Sequence, residues 1–389
     1  MNWQLYLSLS LMMFLEYAIW GAWFPVLASH LVGPLKLTGK QTGWIYATLW
    51  LGCIVALFTG GQIADRWVAA EKFLAVAQIA GGIVLLLAAK KEKFWPLLGL
   101  MGLYALLYAP TMGLTNSVMF THETDRAVQG WIRVWGTIGW IVAGVGLALW
   151  RRCGKLKVAG CDALVLAGII SLIMGGFCFF LPHTPPSKQP SDPLAFVAAF
   201  RMLGDPNFLT FLIISFIVTT QLQFYFVPTA PFLEDLGVQS KNLPAVMAIA
   251  QVAEIFGMVV LLPLLLPNFR WILAIGVIAW PARYIIFAMT KPLWLVISSL
   301  ALHGVGYTFF FFGGQQYVDE VAPADIKGSA QILIVMVTLG LGSFIGTQIT
   351  GAVMDLFKAE GKFRWRPIFL VPCVLTVACA VAFLLLFKG

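Results

Sequence analysis

Apolar blocks recur along the whole 389-residue chain, and that recurrence limits what it can fold into. Each block runs for about 20 residues, the length an α-helix needs to cross a hydrocarbon core of about 30 Å. Twelve such blocks can be read, near 5–30, 41–64, 72–90, 94–117, 130–150, 160–181, 207–231, 243–266, 270–289, 292–317, 328–355 and 367–387. Transmembrane barrels show alternating strands of about ten residues instead, and no such alternation runs through this chain. Charged residues make up 11% of it, against about 25% in soluble domains, so the blocks belong in lipid. An all-α integral membrane protein follows. The net charge of +8 sits in short connections between blocks, not in a basic stripe or arm, which excludes nucleic acid as a partner. The first block carries Glu16 and several aromatics with no Lys or Arg before it, so it reads as a retained span and not a cleaved signal.

The longest connection, PHTPPSKQPSDPLAFVAAFRMLGDP, is rich in Pro and Ser and falls between the sixth and seventh blocks. It divides the chain into a six-helix bundle (1–181), a cytoplasmic linker (182–206) and a second six-helix bundle (207–389). Two six-helix bundles of 12 transmembrane helices are the plan of the major facilitator superfamily fold. A weak internal echo supports related halves: glycines at 136, 139 and 144 follow the turn THETDRAVQG, and glycines at 340, 342 and 346 follow VDEVAPADIKG. Small residues at such spacing let helix backbones approach closely. The loop GGQIADRW after the second block resembles the superfamily's cytoplasmic loop signature at Gly61, Asp65 and Arg66, without the basic run that usually follows. It implies a gating motif, with Asp65 meeting a helix N-terminus or a cation, and both termini in the cytoplasm. Most Lys and Arg then fall on the outer connections, against the positive-inside rule.

Ionisable side chains inside a span are costly and usually face a cavity or a partner. Here they are Glu16, Arg133, Glu254, Arg283 and His303. Helical spacing sets Arg133, Thr137, Trp140 and Gly144 on one face, and Met247, Gln251, Glu254 and Met258 on another. Glu16, Trp20 and Trp23 form a third stripe; Gln221, Gln223 and Phe226 mark the seventh span, and His303, Tyr307 and Thr308 the tenth. Arg133 is expected to point into an aqueous cavity between the bundles; the alternative is a buried Arg–Glu pair, with Glu16 as its partner. His303 and Arg283 read as packed, structural groups. Amides, hydroxyls, one guanidinium and aromatic faces suit a neutral, hydroxylated, ring-bearing solute, nucleoside and sugar alike.

Five segments together resemble the nucleoside:proton symporter family of the major facilitator superfamily: MMFLEYAIWGAWF, YAPTMGLTNS, IRVWGTIGW, AQVAEIF and LHGVGYTFFFF. The resemblance implies a secondary active transporter that imports nucleosides with protons through alternating access. It places substrate contacts on Arg133, Thr137, Trp140, Gln223, Gln251 and Glu254, residues that the helical stripes had already singled out. Two positions depart from the family. Thr308 follows Tyr307 where an aspartate is common, and Phe226 stands where an asparagine does. Phe226, Tyr307 and Thr308 complete the candidate substrate site. With that carboxylate gone, Glu16 or Glu254 becomes the proton-coupling candidate.

The expectation is thus a nucleoside permease of the bacterial inner membrane, multi-pass and monomeric, with nucleoside, protons and the lipid bilayer as partners. It needs no cofactor and no metal. A sugar or drug permease of the same fold, or a nutrient sensor that binds without transporting, are the alternatives. A polytopic enzyme is disfavoured: the four histidines are scattered, and no nucleophile has a base beside it. Cys153 and Cys161 flank the connection RRCGKLKVAGC and are read either as a bridge, if that loop faces an oxidising compartment, or as free thiols. The cysteines at 53, 178, 373 and 379 lie in apolar blocks, as small hydrophobes.

Overall fold

Every apolar block forms a membrane-length helical run. The computed structural model describes residues 3–66, 68–154, 160–186, 195–265, 268–323 and 325–388, with all their side chains but those of 59–66, 126–127, 195–196 and 263. Among the described residues there are 12 spans long and apolar enough to cross a membrane. The first six are Trp3–Val32, Gly39–Phe58, Ala70–Ala88, Phe94–His122, Val128–Cys153 and Asp162–Phe180. The second six are Pro206–Asp235, Leu243–Leu261, Phe269–Met289, Leu293–Val321, Lys327–Leu356 and Trp365–Leu386. The only strands among the described residues are the two-residue pair Lys358–Ala359 and Lys362–Phe363, a hairpin before the last span. The helix of the second span continues to Arg66, but the side chains of Gly61, Asp65 and Arg66 lie outside the described residues.

Two compact units divide the chain. The first comprises Met1–Leu37, Thr48–Pro193 and Val238–Ala248; the second comprises Thr38–Ala47, Leu194–Gly237 and Ile249–Gly389. Each unit therefore takes in about ten residues from the other half of the sequence, at the start of the second and of the eighth span. Within the second unit the borrowed helix start is capped: Gly39 and Lys40 donate their backbone N–H groups to the Asp355 carboxylate at 2.6 and 2.8 Å. A carboxylate there satisfies orphan donors and complements the helix dipole. Within the first unit Arg151 holds Asp162 through two 2.7 Å hydrogen bonds and also donates to the Ser240 carbonyl. Arg152 donates to Asn242 Oδ1.

The glycine echo has a structural cause. A Cβ on Gly139 would sit 2.1 Å from the Phe14 carbonyl oxygen, so the fifth and first spans meet backbone to backbone. In the second unit a Cβ on Gly346 would sit 2.4 Å from the Thr220 carbonyl, and the eleventh span meets the seventh in the same way. Close approach of this kind drives helix association where lipid removes the hydrophobic incentive.

The units differ in helix geometry. The eighth, tenth and eleventh spans each open into a π-helical turn, at Gly257–Leu261, Tyr307–Phe312 and Met336–Gly342. Such turns widen the ladder and collect at functional sites. All three lie in the second unit. Cys153 and Cys161 are both free, one exposed and one buried, so the free-thiol reading of that connection holds. Burial pushes the Cys161 thiol up to about 11, which leaves it protonated and inert.

Candidate functional site

In the first unit, the guanidinium of Arg133 donates from Nε and Nη2 to Asn116 Oδ1, at 3.3 and 3.2 Å. Asn116 is itself held by its amide on the Met112 carbonyl, 2.8 Å away. The Phe120 ring lies 5.8 Å from the Arg133 guanidinium carbon. Arg133 is exposed, and among the described residues no carboxylate pairs with it. Three of its five N–H protons are thus free to meet a solute. Thr137 is half-buried on the same face, and Trp140 is buried edge-to-face on Trp20, their ring centroids 5.1 Å apart. Trp20 also meets Trp50 and Phe24 at 6.0 and 5.5 Å, so Trp140 belongs to an aromatic cluster held by the first, second and fifth spans.

The alternative that paired Arg133 with Glu16 is corrected. Glu16 is fully buried, and its carboxylate is taken by neutral groups. Gln78 Nε2 lies 2.7 Å from Oε2, and Thr111 Oγ1 lies 2.7 Å from Oε1. Gln78 continues to Ser171, whose hydroxyl is 2.7 Å from the Gln78 side-chain oxygen, and the Tyr108 hydroxyl donates to the Glu16 carbonyl. Sequence reasoning missed Gln78, Thr111, Ser171 and Asn116 because the stripes it weighed lie on the first, fifth, seventh, eighth and tenth spans, and these four lie on the third, fourth and sixth. A signal existed for three of them. Gln78 is the sole amide of its span, and Thr111 and Asn116 lie within YAPTMGLTNS.

In the second unit the eighth and tenth spans bring their candidates together. A Cβ on Gly304 would meet the Ala250 carbonyl at 2.3 Å and the Glu254 nitrogen at 2.5 Å, so the two helices touch at the AQVAEIF segment. Thr308 is buried and donates its hydroxyl to the Glu254 carbonyl at 3.2 Å. It therefore fixes the backbone that carries Glu254. The Glu254 side chain is half-buried and takes no hydrogen bond from a described residue. Gln251 is buried with its Oε1 unpaired among the described residues. On the seventh span Gln223 and Gln221 are fully buried, and all four of their side-chain amide atoms are unpaired in the same sense.

Beside them lies an aromatic cage. Arg283 is fully buried, with the rings of Tyr284, Tyr225, Trp280 and Phe287 centred 4.5, 4.8, 5.0 and 5.7 Å from its guanidinium carbon. Nη1 meets His303 Nδ1 at 2.8 Å. A guanidinium only donates, so Nδ1 accepts and the His303 proton sits on Nε2. His303 stacks on Tyr225 at 3.7 Å and meets Phe226 edge-on at 5.4 Å. Tyr307 stacks 6.3 Å from His303. Phe226 and Tyr307 thus share one aromatic surface, and His303 and Arg283 are the packed groups expected of them.

The nucleoside H+ symporter family model matches residues 1–389, the entire chain. The chain belongs to the nucleoside H+ symporter family. Relatives of the family span nearly its full length: it is 32% identical to the Escherichia coli (strain K12) protein YegT, over 98% of this chain and 93% of that one. It is 27% identical to the nucleoside permease NupG of the same organism, over 99% and 96%, and 27% identical to the xanthosine permease, over 98% and 96%. The crystal structure of the nucleoside transporter NupG superposes on all of this chain with a TM-score of 0.87 at 25% identity. The symporter family thus brings the major facilitator fold, and its relatives are permeases, not enzymes.

Proposed function

We propose that this chain imports nucleosides across the bacterial inner membrane by proton symport, working by alternating access as a monomer in lipid. In this reading Arg133, Thr137 and Trp140 of the first unit contact the nucleoside. So do Gln223, Phe226, Gln251, Glu254 and Tyr307 of the second, while Thr308 anchors the Glu254 backbone. The observation that carries the reading is the set of buried amide atoms of Gln223 and Gln251 that no described residue satisfies. An unpaired buried donor or acceptor costs about 1–3 kcal/mol, a cost that folding does not recover and ligand binding can. Amides present donor and acceptor together, which matches the edge of a nucleobase, and the rings of Phe226, Tyr307 and Trp140 suit its face.

Both termini and the linker 182–206 lie on the cytoplasmic side in this proposal, with Gly61, Asp65 and Arg66 as the gating turn. Glu16 and Glu254 are the proton-coupling candidates. The test is uptake of labelled uridine by a host lacking its own nucleoside transporters, with and without a protonophore. Uptake that the protonophore abolishes is the expected result. Uptake indifferent to it makes the chain a uniporter, binding without uptake makes it a sensor, and competition by a sugar but not by a nucleoside overturns the substrate class.

A further inference from the structure

The Glu16 network contains too few protons for an ionised carboxylate. Thr111 Oγ1 lies 2.7 Å from Glu16 Oε1 and 2.6 Å from the Tyr108 carbonyl oxygen, and both are acceptors when Glu16 is charged. A threonine hydroxyl has one proton and two lone pairs, so one of those short contacts would join two oxygens with no hydrogen between them. Gln78 cannot supply it. Its Nε2 protons are directed at Glu16 Oε2, 2.7 Å away, and at Thr111 Oγ1, 3.2 Å away.

A proton on Glu16 Oε1 satisfies the contacts of the carboxyl and of Thr111. Glu16 then donates to Thr111, Thr111 donates to the Tyr108 carbonyl, and the second lone pair of Thr111 accepts from Gln78. Oε2 accepts the other Gln78 proton, while the Ser171 hydroxyl, 2.7 Å from both the Gln78 side-chain oxygen and the Gln78 carbonyl, has one proton for the two. Among the described residues no cation offers an alternative way to hold the charge. Among the described residues, the titratable groups in electrostatic reach of Glu16 are Tyr104 and Tyr108 of the fourth span and Cys178 at the end of the sixth, with Tyr17 and Cys53 beside Tyr108. Arg133, on the fifth span, is engaged with Asn116.

We infer that Glu16 holds the coupled proton as a neutral acid in this conformation, with Thr111 as the residue that positions it and Gln78 and Ser171 as its hydrogen-bonded support. The step is a simple protonation. An O–H bond forms on Oε1 with a proton from the side of higher proton activity, and breaks when Glu16 is rehydrated and releases it to the other side. This assignment rests on the symport reading and chooses Glu16 over Glu254 as the carrier.

Infrared difference spectroscopy of the purified full chain tests it without transport. At neutral pH a carboxylic-acid C=O band is expected that disappears in Glu16→Gln, persists in Glu254→Gln, and shifts to higher frequency in Thr111→Val, where the acid loses its acceptor. A spectrum with no acid band lost in Glu16→Gln overturns the proposal. Should Glu16→Gln fail to fold, Thr111→Val decides alone: an unmoved acid band overturns the proposal. In proteoliposomes Glu16→Gln is expected to lose gradient-driven accumulation of uridine while keeping counterflow between equal pH, a split that a merely structural role would not produce. Accumulation retained in Glu16→Gln overturns the proposal. If the wild-type chain shows neither accumulation nor counterflow, the transport reading fails, and the infrared band still decides the protonation of Glu16.

Discussion

The Glu16 cluster of the first unit and the amide cluster of the second treat buried polarity in opposite ways. In the first, the carboxyl of Glu16 is surrounded by Gln78, Thr111 and Ser171 and every side chain of the set has a partner. In the second, the side-chain amides of Gln221 and Gln223, Oε1 of Gln251, and Nε and Nη2 of Arg283 are buried without one among the described residues. The second unit also carries the three π-helical turns. A closed network specifies one arrangement and resists change. An open one carries a free-energy cost that a bound solute can remove. In the proposed reading the Glu16 cluster holds a proton and the open amides meet the nucleoside.

Substitutions can break this contrast. The largest effects are expected on uptake in the second unit. Gln251→Ala and Glu254→Gln should each lower uridine uptake about 10- to 100-fold, the equivalent of hydrogen bonds worth about 1.5–3 kcal/mol, with the melting temperature unchanged. Gln223→Leu should abolish uptake in the same assay while leaving the protein as stable as wild type or more so, because it removes an amide with no partner. A fall in stability that exceeds the fall in uptake would show these amides to be structural.

In the first unit the order reverses. Gly139→Ala should destabilise by about 1–3 kcal/mol through overpacking against the Phe14 carbonyl, measured by thermal unfolding in detergent. Gly102→Ala, where nothing lies within 4 Å of the added methyl, is the control. A double-mutant cycle between Glu16→Gln and Thr111→Val should give a coupling of about 0.5–3 kcal/mol. Additive effects would mean the network is not a unit.

The smallest effect is expected at the surface of the second unit, where Arg201 Nη2 meets Asp325 Oδ2 at 2.5 Å. That hydrogen bond holds the Asp325 carboxyl below its ordinary value. A lowered folded value means the contribution is present above the free carboxylate's pKa of about 3.9 and fades as pH falls through the lowered one. Asp325→Asn should therefore cost a little stability at neutral pH and low salt, and nothing at high salt or in acid.

Much of this was legible in the sequence, and the parts that were not share a cause. Span count and bounds follow from block length, because lipid thickness imposes it. That the fifth span packs closely on some other helix was readable from Gly136 and Gly139, and Arg133, Gln251 and Glu254 stood out from helical spacing as exceptions to apolar composition. Partner choice was not. Which neutral group meets Glu16, and that Arg133 takes Asn116 instead, depends on helices far apart in sequence and on side chains that look ordinary alone. The exchange of residues 38–47 and 238–248 between units was equally hidden, since composition does not change at those points.

The central claim, that one chain moves a nucleoside together with a proton, is tested most directly by a pH-sensitive dye sealed inside proteoliposomes that contain only this protein. With equal pH on both sides and uridine added outside, the account predicts acidification of the lumen in step with uridine uptake. Uridine that accumulates to equilibrium with no change of internal pH would contradict it.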